Sequence, residues 1–134
     1  MKQGLGDSQI RQFQSDGFLI LRDLLPPEVT QPLIDELDQG VEVVAVEAVR
    51  QGKLDSDRTF PDASFATRLA CMSAASSDRH WMWQQVQGKR YKTAGMFTLR
   101  TAPSLLDVVE SLIGHEILAH PQTVLRAKLP DHEE

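Results

Sequence analysis

Residues 13 to 27 read FQSDGFLILRDLLPP, and the fold class turns on how Phe18-Leu19-Ile20-Leu21 is taken. This is a continuous apolar run of strand length, bounded by Asp16 before it and Arg22-Asp23 after it. It reads as a strand covered on both faces or as a buried turn of helix, because periodicity alone does not separate the two. Upstream, Asp7 and Ser8 are N-cap residue types, and Ile10 and Phe13 share a face three residues apart. Gly17 can then take the left-handed position at a helix end, so a short opening helix is expected.

Downstream, Pro26-Pro27 punctuates the chain, and proline suits a helix's first turn, where its missing N–H has no partner to lose. Val29, Leu33, Leu37, Val41, Val44 and Ala48 recur at spacings of four and three, which predicts a long helix with one apolar stripe. Pro32 leaves two readings of its start: Thr30 caps the true beginning, or the helix is kinked near residue 32. Gly52 ends the helix, and residues 52 to 64 (GKLDSDRTFPDAS) have loop composition.

Residues 77 to 87 (SDRHWMWQQVQ) open on the capping types Ser77 and Asp78 and concentrate Trp81, Met82, Trp83 and Val86, which predicts a short helix pressing aromatics into a core. Gly88-Lys89-Arg90-Tyr91-Lys92 is a small basic patch, read as a solvated loop in preference to a site for an anion such as a coenzyme A phosphate. Pro103, Leu105, Leu106, Val108, Val109, Leu112 and Ile113 predict an amphipathic helix closed by Gly114. Two strand-like runs follow, Glu116 to Ala119 and Thr123 to Leu129. The second alternates, with Val124, Arg126 and Lys128 on one face and Thr123, Leu125, Ala127 and Leu129 on the other.

The chain has 134 residues, 41% of them apolar and 25% charged, which suits one globular domain and not a disordered segment. Its net charge of −5, with 14 scattered Lys and Arg, leaves no basic stripe for nucleic acid. No run approaches the ~18 apolar residues that cross a bilayer, and the N-terminal MKQGLGDSQIRQF has no signal-peptide core, so no membrane association and a cytoplasmic location are expected. Cys71 is the lone cysteine and makes neither an internal disulfide nor a Cys-based zinc site; it reads as a small, buried or half-buried residue. There is no Gly-rich phosphate loop, no G-x-S-x-G and no H-E-x-x-H. His80, His115, His120 and His132 form no i, i+4 metal pair. His132-x-Glu134 has the form of half a two-histidine, one-carboxylate iron site, but it reads as an exposed loop end because the second histidine is missing.

Three segments, in order, carry a resemblance. Gln9 to Leu37 contains Phe13, Asp16-Gly17-Phe18, Leu24-Leu25-Pro26 and Val29. Pro103 to Gly114, with Glu116-Ile117-Leu118 after it, has the form P-x-l-l-x-x-v-x-x-l-l-G. Thr123 to Asp131 ends in Lys128-Leu129-Pro130-Asp131. Together they resemble the opening of the phytanoyl-CoA dioxygenase family of Fe(II)- and 2-oxoglutarate-dependent oxygenases, with residues 38 to 100 matching least.

The resemblance implies an α+β fold, in which residues 1 to 134 are the N-terminal portion of a single domain. They would hold the N-terminal helices and first strands of a double-stranded β-helix, of jelly-roll or cupin type, truncated before the metal-binding strands. It implies Fe(II) and 2-oxoglutarate as cofactors of the intact enzyme, with neither expected to bind tightly to this chain alone. The partners it implies are O2 and a small organic or acyl-CoA substrate, which the intact enzyme hydroxylates. The iron ligands it implies, an H-x-D and a later histidine, lie past Glu134, as does the arginine that anchors the 2-oxoglutarate carboxylate. Val124 corresponds to a family position packed beside 2-oxoglutarate. A lysine that some members use for the same contact falls at Val86 by ungapped spacing, and Lys89 substitutes for it only if the loop shifts. Hydroxylation is thus an expectation for the intact enzyme, with no catalytic residue and no metal ligand in this chain. The rival expectation is a non-enzymatic helical interaction module, or an inactive remnant of the family, built on the 29 to 48 stripe and the aromatics at 81 to 83.

Overall fold

A computed structural model of the chain describes residues 4–86, 92–120 and 122–130. All regular structure among them is helical: α1 (Asp7–Asp16), α2 (Pro27–Arg50), a 3-10 turn (Ser56–Arg58), α3 (Phe65–Ala75), α4 (Arg79–Val86), α5 (Ala94–Arg100) and α6 (Pro103–Ile113). The chain separates into two compact units, Met1–Leu33 with Lys92–Pro121, and Ile34–Tyr91 with Gln122–Glu134.

The expected α+β fold is therefore corrected to an all-helical one, with no strand of a β-helix among the described residues. Phe18–Leu21, Glu116–Ala119 and Thr123–Leu129 are non-helical, as their sequences suggest, but none is a strand. The physical reason is that a strand exists only through its ladder, and an apolar run has no way of supplying its own partner. Phe18 and Ile20 show the consequence, since they are 59% and 71% exposed instead of covered.

In the first unit, α1 begins one residue earlier than its Asp and Ser suggest. Gly6 is the N-cap, and its N–H donates to Gln9 Oε1 at 3.0 Å, while the expected capping types Asp7 and Ser8 lie inside the helix. Gly17 closes α1 in the left-handed region at φ 77°, donating its N–H to the Phe13 carbonyl at 2.9 Å. α6 has Pro103 in its first turn and ends at Gly114, as its sequence predicts, and buries Val108. The Leu5 N–H donates to Ser111 Oγ at 3.0 Å, which holds the chain start against α6. Gly4 allows this approach, since a Cβ there would lie 2.5 Å from Ser111 Oγ.

α2 starts at Pro27 and runs through Pro32. Thr30 is inside the helix, not its cap: its hydroxyl donates back to the Pro27 carbonyl at 3.4 Å. The helix ends in a Schellman motif. Gly52, at φ 67°, donates to the Val49 carbonyl at 3.0 Å, and Lys53 donates to the Ala48 carbonyl at 2.8 Å.

The second unit contains the main core. Val41, Val44, Ala45 and Ala48 of α2 pack with Leu54, Met72 of α3, and Met82 and Val86 of α4. The C-terminal half of the predicted α2 stripe is thus the buried face, joined by Ala45. In α4 the fully buried positions are Met82 and Val86, one turn apart, and the expected aromatics Trp81 and Trp83 flank them half-buried. α3 and α5 are helices that the sequence reading left unassigned.

Candidate functional site

Two side-chain clusters and one apolar slot in the second unit are the places where chemistry is concentrated. The first cluster joins the end of α2 to the start of α4. The Lys53 carbonyl accepts from Ser77 N–H at 3.0 Å, Ser76 Oγ at 3.0 Å and Ser77 Oγ at 3.3 Å. Lys53 Nζ lies 2.6 Å from Asp78 Oδ2 and 5.3 Å from the Trp81 ring centre, over its face. Asp78 Oδ1 accepts the Trp81 N–H at 2.9 Å, which is the N-cap bond of α4 that the sequence suggests.

The Lys53 ammonium, then the Trp81 N–H, hold the Asp78 carboxyl below its ordinary value of 3.8. A carboxyl depressed in the folded state stabilises the fold above 3.8, and that contribution is lost as pH falls through the lowered value. Asp78→Asn is therefore expected to reduce the urea midpoint at neutral pH, with the gap to wild type closing on acidification below 3.8. A gap that stays constant with pH would contradict the assignment. Glu47 follows the same sign, lowered from 4.5 to about 2 by Arg50 in the last turn of α2 and then by Gln51 just beyond it.

The second cluster centres on Arg68 of α3, which is only 5% exposed. Its Nε donates to the Thr59 carbonyl at 3.2 Å, its Nη2 donates to the Glu42 carboxylate, and its Nη1 stands 4.0 Å from Asp38 Oδ1. One guanidinium fork thereby ties α2, α3 and the 52–64 loop. With the Glu42 carboxylate bound and the Asp38 carboxylate beside it, this buried cation acts as a clamp between elements.

The slot has Leu37 and Val41 of α2, Phe65 and Leu69 of α3, and Val86 of α4 as walls. Its remaining side is the segment 122–130, where Leu125 and Ala127 are half-buried and Val124 and Arg126 are exposed. The alternation expected over Thr123 to Leu129 is thus present in the burial, without a ladder. Trp83 Nε1 donates to the Ala127 carbonyl at 3.3 Å, and Arg79 donates to the Pro130 carbonyl at 3.3 Å, fastening this segment to α4.

Val124 is 43% exposed and does not line the slot. Val86, where the resemblance would place a lysine, is buried in the core at the end of α4. Lys89, His132 and Glu134 lie outside the described residues. Among the described residues no three His, Cys, Asp or Glu side chains gather into a group that could hold a metal ion. His80 Nε2 is 2.8 Å from Gln84 Nε2, and His115 pairs with Glu110. The described residues do not fit an iron centre. No helix among them is long and apolar enough to cross a membrane.

Lys53, Arg68 and Arg126 are among the cluster and slot residues that the sequence alone does not single out as sites. Arg126 had a signal, since the alternation sets it beside Val124, whereas nothing in the sequence distinguishes Arg68 from a surface arginine. No family model, curated protein or solved structure matches the chain.

Proposed function

We propose that this chain supplies the helical N-terminal part of an Fe(II)- and 2-oxoglutarate-dependent oxygenase of the phytanoyl-CoA dioxygenase type, one that hydroxylates a small organic or acyl-CoA substrate. The observation that carries the reading is an order of elements. A short helix closed by left-handed Gly17 leads through a non-helical Phe18–Pro26 stretch into a long helix opened by Pro27. Further on, a helix opened by Pro103 and closed by Gly114 leads into the non-helical segment that carries Lys128-Leu129-Pro130. These positions coincide with the segments on which the resemblance rests. On this reading the chain contributes scaffold, and the metal ligands come from residues that follow Asp131.

The test is to read the coding sequence onward and to titrate the protein made from it. An H-x-D soon after Asp131 and a histidine further on are expected. The longer protein should develop the Fe(II)–2-oxoglutarate charge-transfer band under anaerobic conditions, while residues 1 to 134 alone should not. A stop codon after Glu134, or a longer protein without the band, would overturn the proposal.

A second reading, a non-enzymatic helical interaction module, is favoured by a specific feature of α2. Val43 and Val46 stand 67% and 59% exposed on its outer face, between Glu42 and Glu47. A native stop codon after Glu134 would favour this reading or that of an inactive remnant of the family.

A further inference from the structure

The apolar slot of the second unit has a size and a rim that specify a ligand. Its volume is about 160 Å3, close to the ~150 Å3 of an engineered apolar cavity that takes up benzene. The walls offer Leu37, Val41, Phe65 and Leu69, and no carboxylate lines it. At its edge Arg126 is exposed, and its guanidinium makes no ion pair or hydrogen bond among the described residues. This contrasts with Arg68, whose guanidinium is bonded to Glu42 and Thr59 in the same unit.

We propose that the slot is a binding site for a small aromatic carboxylate, with the ring between α2 and α3 and the carboxylate on Arg126. A single ring matches the volume, and being rigid it loses less rotamer freedom on entry than a flexible chain. Its burial is favoured by the apolar walls, and a planar guanidinium is the side chain best shaped to take a carboxylate through two parallel hydrogen bonds. Leu125, Arg126 and Ala127 all line the slot, and Val124 does not. The site is therefore independent of the oxygenase reading and needs neither iron nor 2-oxoglutarate.

The test is to titrate the full chain with phenylacetate, with benzyl alcohol as the ring without a charge and acetate as the charge without a ring, following backbone amide shifts. Phenylacetate should saturate, with shifts centred on Val41, Leu69, Val86 and residues 125 to 127. Benzyl alcohol should bind about tenfold more weakly, the worth of losing the charge-assisted pairing with a solvent-exposed Arg126. Acetate should not saturate. Arg126→Gln should bring phenylacetate down to the benzyl alcohol level while leaving benzyl alcohol unchanged, which also establishes that the variant is folded. Leu69→Trp should abolish both by filling the slot. Absence of saturation by phenylacetate, shifts centred elsewhere, or equal binding by Arg126→Gln would each overturn the proposal.

Discussion

Arg68→Met is expected to lower the unfolding free energy of the second unit by about 3 kcal/mol, read from the urea midpoint at unchanged m-value. Methionine keeps much of the buried aliphatic stem and removes only the guanidinium. What is lost is the charge-assisted bond to Glu42 and the bond that satisfies the Thr59 carbonyl. Asp38 Oδ1 is also left without its nearest cation, although it is shut off from solvent and has no hydrogen-bond partner of its own. The loss stays below the upper range for a broken buried pair because the Glu42 side chain is 56% exposed and rehydrates in part. Glu42→Gln should accordingly cost only about 1 kcal/mol. Arg68→Lys should fall between the two, since one ammonium does not reach both Thr59 and Glu42 as a planar fork does. A change within about 0.5 kcal/mol for Arg68→Met would show that the cluster contributes nothing beyond an ordinary surface pair.

Arg68 also explains why α3 was illegible. Residues 65 to 75, FATRLACMSAA, are apolar nearly all the way round, and the one charge among them lies on the buried side. A buried charge inverts the pattern on which a helical stripe is recognised, so the segment reads as a featureless run of small residues. α2 was legible for the opposite reason. Its signals are local: proline at the first position, glycine in the left-handed end, and valines at helical spacing facing Met72 and Met82. Phe18–Leu21 marks the limit of such reading. The apolar run predicts a strand and the structure has none there, because whether such a run becomes a strand depends on a partner that no local pattern encodes. The same holds for Thr123 to Leu129, where the period-two burial is present and the sheet is not. The slot was invisible because it is assembled from four segments far apart in sequence, each of which alone shows only ordinary core residues.

Met82→Ala should cost about 3 kcal/mol, within the 2–5 kcal/mol typical of truncating a fully buried methionine. Met82 is 0% exposed, as is Met72 across the core from α3, and both belong to the cluster that includes Val41, Val44 and Ala48. Those α2 positions are valine and alanine, short and stiff or without χ angles, so they have little reach with which to refill the space. The cavity should persist, and its cost adds to the lost transfer energy. Met82→Leu keeps the volume and should cost under about 1.5 kcal/mol. Trp81 and Trp83 flank Met82 on α4, so their fluorescence reports the transition without a label. Because Met72 and Met82 share one cluster, the double alanine variant should depart from the sum of the singles by more than about 0.5 kcal/mol. Strict additivity of the two, or a Met82→Ala effect no larger than that of Met82→Leu, would mean that the second unit's core does not close around these two side chains.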